Sequence, residues 1–250
     1  MNLPFDATWT DLLLASLGAV CLGVSKTGFP GLAIINVLLV AELFGAKNSV
    51  GIILPLLVVC DLVVYPLFRR HASWRDVLPL LPATLVSVAA AAFVLGRLDD
   101  QSARRVIGGI ILLMLALQLA REFRRDFLHH LPDSSLFRRF ACILIGISTM
   151  LANAAGPVFS IYALVHRMSK EQFLGVGARL FLLVNLFKLP FLGGLDLINA
   201  TSLKLDLILL GPLLLGIFAG RSLLRHVPQR LFEMLLYLFS VASGLRLLLA

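Results

Sequence analysis

The stretch Ser25-Lys26-Thr27-Gly28-Phe29-Pro30-Gly31 interrupts an apolar region between Leu12–Val24 and Leu32–Phe44. Two glycines and a proline break a helix, and Pro30 suits the first turn of the helix that follows. Each flanking segment has 13 residues. At 1.5 Å per residue a segment of that length covers about 20 Å, against roughly 30 Å of hydrocarbon in a bilayer. The pair therefore reads as two strongly tilted crossings, or as a hairpin that enters and leaves on one side. Either way the chain returns to the side on which it started.

Outward from this break the chain stays apolar. Of its 250 residues 59% are hydrophobic and 14% charged, where a soluble domain carries about 25% charge. Three longer apolar segments follow in the first half, Val50–Phe68, Val77–Leu95 and Ala103–Ala120. A basic connector with Pro132 comes next, and the second half then repeats the rhythm: Phe140–Ala152, Val158–Val165, Phe173–Leu192, Leu203–Leu223 and Leu231–Leu249. The expected fold is an all-α polytopic membrane protein of two repeats, each a short broken helical hairpin followed by three spanning helices. Residues 1–120 form the first repeat, 121–139 a cytoplasmic connector and 140–250 the second repeat. Met1 to Asp11 contains no Lys or Arg, so it lacks the basic start of a signal peptide, and the first apolar segment is expected to be retained.

Residues repeat as well as hydropathy. Cys60-Asp61-Leu62 with Pro66 matches Val184-Asn185-Leu186 with Pro190, an offset of 124, and Gly51/Gly175 and Gly96-Arg97/Gly220-Arg221 keep that offset. A constant offset across three segments indicates duplication. A returning pair plus three crossings is an odd number of passes, so the second copy is expected to lie upside-down relative to the first, as in many secondary transporters.

The formal charge of +8 sits in short clusters between apolar segments, the pattern of cytoplasmic loops rather than of a nucleic-acid surface. With the N-terminus outside, the inward loops hold thirteen basic residues (Arg69, Arg70, Arg75, Arg121, Arg124, Arg125, Arg138, Arg139, Arg167, Lys170, Arg221, Arg225 and Arg230). The outward side holds six: Lys47, Arg97, Arg104, Arg105, Lys204 and Arg246. Both termini are thus expected on the outer, periplasmic side of a bacterial inner membrane. The inward clusters would also attract anionic lipid.

The break in the second half reads Ser148-Thr149-Met150-Leu151-Ala152-Asn153-Ala154-Ala155-Gly156-Pro157. A helix start carries unpaired N–H groups and partial positive charge, which suits an anion. Two such starts from opposite halves would meet near the membrane centre, around Gly28, Gly31 and Gly156. Lys26 adds a full positive charge, and Thr27, Thr149 and Asn153 add donors. Alternatively both breaks are only the turns of tight hairpins, with Lys26 snorkelling to the surface. Polar groups at membrane depth are costly unless they line a cavity.

Asp61 lies in the centre of a spanning run, and its repeat partner Asn185 is followed by Lys188. A lone intramembrane carboxylate points to a proton relay, or equally to a structural pair with Lys26 or Lys188. The exchange of Asp for Asn makes the halves inequivalent, which fits one coupling site. Cys21, Cys60 and Cys142 lie in apolar segments without paired spacing, and the adjacent His129-His130 are a poor ligand set, so neither metal nor other cofactor is expected. An intramembrane enzyme would need clustered acids, histidines or metal ligands, and a cation transporter would need ligand clusters too.

These features resemble the TauE/SafE family of membrane transporters, often called sulfite exporters, over nearly the whole length. The likeness rests on the Gly-rich break early in each half, Gly96-Arg97 and Gly220-Arg221, and the link Arg69-Arg70-His71-Ala72-Ser73-Trp74. The usual family break is a run of glycines before a proline. Here Lys26-Thr27-Gly28-Phe29-Pro30-Gly31 and Asn153-Ala154-Ala155-Gly156-Pro157 take its place. The resemblance implies transport, most simply export, of sulfite, a sulfonate or a related oxyanion, and allows a homodimer. Lys26, Thr27, Gly28, Gly31, Thr149, Asn153, Gly156, Asn185 and Lys188 are the candidate anion site, with Asp61 as the proton-coupling group. A passive anion channel is the alternative.

Overall fold

A computed structural model describes residues 4–26, 32–123 and 134–223. The described residues form nine principal helices: α1 (Trp9–Lys26), α2 (Ala33–Phe44), α3 (Ala46–Phe68), α4 (Leu81–Arg97), α5 (Asp100–Phe123), α6 (Ser135–Ala152), α7 (Gly156–Val165), α8 (Lys170–Gly194) and α9 (Ala200–Leu223). Thr27 to Gly31, most of the connector and the expected last segment, Leu231–Leu249, lie outside the described residues.

Six of these helices, α1, α3, α5, α6, α8 and α9, are long and apolar enough to cross a membrane. The chain is a multi-pass membrane protein. The expectation that the first segment of each half is too short to span is corrected, because α1 and α6 each have 18 residues. Apolar counting stopped too early, since capped polar residues extend both helices. Thr8 Oγ1 accepts from the Asp11 amide while Asp11 accepts from the Thr8 amide, and Ser134 Oγ accepts from the Phe137 amide. Of these first two segments in each half, α2 and α7, with 12 and 10 residues, remain short.

The segment expected over Val77–Leu95 also differs. A one-turn helix, Trp74–Val77, comes first, and α4 begins at Leu81 with proline in its first turn. Pro79 and Pro82 donate no N–H, so one helix does not run through them. The 17 residues that remain in α4 make it a short apolar helix.

Three helix pairs dominate the packing. α1 lies on α9 as α4 lies on α6, while α3 and α8 lie on each other. Small residues mark both outer interfaces. A Cβ on Gly23 would overlap the backbone of Leu213 and Ile217, and one on Gly146 would overlap Ser87 and the Thr84 carbonyl. At the centre, Gly51 near the start of α3 touches Leu197 beyond the end of α8, and Gly175 near the start of α8 touches Phe68, His71 and Ala72 at the end of α3. The two helices therefore run antiparallel.

α1 and α2 form an antiparallel hairpin. Gly18 faces Asn36 and Leu39, and Val24 packs with Leu32 near the tip. α6 and α7 form the corresponding hairpin, with Phe137 packed on Ile161 and Val165.

Candidate functional site

The tips of the two hairpins border one cavity of about 90 Å³, room for several waters or one small oxyanion. Ser25, Lys26 and Ala33 line it from the first hairpin, and Thr149, Asn153, Ala155 and Gly156 from the second. The sequence-predicted Lys26, Thr149, Asn153, Gly156, Asn185 and Asp61 are thus brought together. Thr27, Gly28 and Gly31 lie outside the described residues.

The wall between the tips is built on α3 and α8. Asp61 is 1% exposed. Its Oδ1 accepts from Lys26 Nζ at 2.6 Å and its Oδ2 from Asn185 Nδ2 at 2.6 Å. The structural pairing of Asp61 with Lys26 is therefore present. Lys26 itself is not sealed off, since its side chain is 18% exposed and its ammonium stands 5.2 Å from the centre of the Phe181 ring.

Lys188 stands behind the cavity rather than on its surface, and it is fully buried. Its ammonium donates to the Thr149 carbonyl at 2.7 Å and to Asn153 Oδ1 at 2.6 Å, with Thr149 Oγ1 at 3.3 Å. Asn153 in turn donates through Nδ2 to the Val50 carbonyl at 3.0 Å. Both ends of the Asn153 amide are thus engaged by protein, and its place is that of a strut between α3, α6 and α8. Its backbone is left-handed, with φ 51°, and ends α6 as the residue after the helix, a position that favours Asn or Gly.

These lysines change the electrostatics of the two tips. Each tip brings the negative end of one helix and the positive end of another to the same place. Lys26 lies in the last turn of α1, and Lys188 binds a carbonyl in the last turn of α6, so both negative ends are neutralised. The starts of α2 and α7 have no side-chain cap, which leaves their partial positive charge directed at the cavity where Ala33, Ala155 and Gly156 line it.

Sequence reasoning missed the aromatic side of the site. Phe159, Phe173 and Phe181 line the cavity, with Phe159 5.1 Å from Phe173 and 5.4 Å from Phe181 between ring centres. A signal for it exists. Leu174, Gly177, Ala178, Phe181 and Asn185 recur at helical spacing on α8, so the stripe that ends at Asn185 has to share its face. Arg179, on the same helix, points elsewhere: it donates to the Arg69 carbonyl and lies 5.0 Å from the Trp74 ring centre. Asp206, buried in α9 with neither carboxylate oxygen hydrogen-bonded, does not line the cavity. Among the described residues no group of His, Cys, Asp and Glu could hold a metal ion.

One family model, described as sulfite exporter TauE/SafE, matches residues 12–247. No curated protein and no solved structure matches the chain.

Proposed function

Because the chain belongs to the TauE/SafE sulfite exporter family, we propose that it is a secondary transporter exporting a small sulfur-containing anion, sulfite or an organosulfonate, across the bacterial inner membrane. The observation that carries this reading is a cavity bordered by Lys26 and by two helix starts without side-chain caps. Unpaired N–H groups, partial positive charge and an ammonium at one place favour an anion there. The anion sits against Lys26, the start of α7 at Gly156 and Asn185. Thr149, Asn153 and Lys188 frame the second tip.

Lys26 also supplies coupling. Its ammonium is shared between Asp61 and any anion in the cavity. An anion that draws Lys26 away leaves Asp61 with only Asn185, and a buried carboxylate so deprived gains from taking up a proton. Proton movement and anion movement are thereby linked through one lysine.

The two halves form an inverted repeat that rocks around this site. Support comes from the antiparallel run of α3 and α8, and from the exchange of packing partners between α1–α9 and α6–α4. Thr84 Oγ1 donates to the Cys142 carbonyl, which keeps the start of α4 beside the start of α6. Arg69, Arg70, Arg75, Arg138, Arg139 and Arg167 then share one end of the bundle, the cytoplasmic one. Phe5 packs on Phe44 at the other end, the outer one.

The test is efflux of labelled sulfite from proteoliposomes holding the full chain. Saturable, trans-stimulated flux that is lost in Lys26→Ala is the expected result. Flux that neither saturates nor responds to Lys26→Ala would remove the reading.

A further inference from the structure

We propose that the cavity takes its anion in a form that carries an O–H or N–H donor, and that Asn185 Oδ1 is the atom that reads this donor. The inference rests on the anion-transport reading above and narrows its substrate class.

Asn185 lines the cavity and is 1% exposed. Which end of its amide faces Asp61 is settled by chemistry. An ionised carboxylate only accepts hydrogen bonds, and Asp61 already takes one from Lys26, so the group 2.6 Å from Asp61 Oδ2 is the NH2. The carbonyl oxygen is turned the other way, where no group hydrogen-bonds to it. A buried acceptor without a donor is costly, and the cost is relieved when a ligand supplies the donor.

Among the described residues the neighbouring polar side chains are engaged elsewhere. Both ends of the Asn153 amide are engaged, by Val50 and Lys188, and the Lys188 ammonium is held by Thr149 and Asn153. Lys26 is turned to Asp61 and the Phe181 face.

Fully deprotonated sulfite has no hydrogen to offer Asn185 Oδ1. Hydrogensulfite has one, as do sulfonates bearing a hydroxyl or amino group.

The experiment uses two competitors of nearly the same shape and equal charge, sulfamate and methanesulfonate, which differ by an amino group in place of a methyl. Each is titrated against uptake of labelled hydrogensulfite by wild-type proteoliposomes. Sulfamate is expected to compete roughly tenfold more strongly, the discrimination typical of one buried hydrogen bond made or left unmade. In Asn185→Leu the two should compete equally, and Asn185→Ala serves where the leucine variant does not fold. Equal competition in the wild type, or a sulfamate preference that survives removal of the Asn185 amide, overturns the inference while leaving anion transport intact. Absence of any hydrogensulfite flux in the wild type overturns both.

Discussion

Asp61 on α3 and Asn185 on α8 stand 124 residues apart and are joined side chain to side chain at 2.6 Å. The two helices lie on each other, and this hydrogen bond spans their contact. Were both residues Asp, two buried carboxylates would face each other, and one would have to be protonated. Were both Asn, no charge would hold Lys26. The exchange of one atom type in one copy yields a stable contact and a single ionisable group.

That contact gives the first prediction. Asp61→Asn keeps the shape of the site but removes the group that releases Lys26 in exchange for a proton. Anion flux in this variant is expected to persist at a reduced rate and to lose its dependence on an imposed proton gradient. Initial rates in proteoliposomes, with and without a pH difference, decide it. A wild-type gradient response in Asp61→Asn removes the coupling role.

Lys26→Met separates stability from transport. The variant leaves Asp61 buried without its cation, and since the Lys26 side chain is 18% exposed the loss is about 1–3 kcal/mol rather than the larger figure of a fully buried pair. Apparent anion affinity is expected to fall at least about tenfold, the loss of one charge-assisted hydrogen bond. The double variant Lys26→Met/Asp61→Asn should regain most of the stability and none of the affinity. Thermal unfolding in detergent and flux assays on the same preparations supply the two readouts. Recovery of transport in the double variant would show that Lys26 only serves Asp61.

Much of this was legible in the sequence, and the gaps have physical causes. Hydropathy located all nine principal helices because membrane burial demands apolar runs, and the 124-residue offset singled out both Asp61 and Asn185, though not their contact. Helix ends were less legible. Ser134 and Thr8 cap helices from polar sequence, where hydropathy is silent. The hydrogen bonding of Asn153 was not legible either. A donor beside a helix break looks available to substrate, but whether its hydrogen bonds are already used depends on Val50 and Lys188, which lie 103 and 35 residues away. Nor could the sequence tell that Lys188 sits behind the cavity and Lys26 on it, because both are lysines at membrane depth and only packing distinguishes them.

Asn153 allows a clean comparison of backbone and side chain. Asn153→Gly keeps the left-handed conformation and loses the side-chain bonds to Val50 and Lys188. Asn153→Ala loses those bonds and also puts alanine at φ 51°, a further penalty of about 1 kcal/mol. Both variants should be less stable than wild type, alanine more so, in detergent unfolding. Equal stability of the two would mean that the turn relaxes and does not fix the start of α7.

The last prediction concerns the paired glycines that let α3 and α8 reach the loops of the opposite half. A Cβ at Gly51 would run into the Leu197 backbone, which has no side-chain freedom with which to give way. At Gly175 the nearest atoms, the Phe68 carbonyl oxygen, the His71 carbonyl carbon and Ala72 Cβ, all lie 3.0 Å from such a Cβ, so a shift of a few tenths of an ångström accommodates it. Gly211, by contrast, faces open space. Gly51→Ala should therefore destabilise by about 2 kcal/mol or more, the scale of overpacking against an unyielding neighbour. Gly175→Ala should cost less, and Gly211→Ala should be neutral or slightly stabilising through its higher helix propensity. Size-exclusion profiles of detergent-solubilised variants after graded heating rank the three. If Gly51→Ala survives heating as well as Gly211→Ala, the close contact between α3 and the loop after α8 is wrong, and the antiparallel packing that joins the two halves loses its main support.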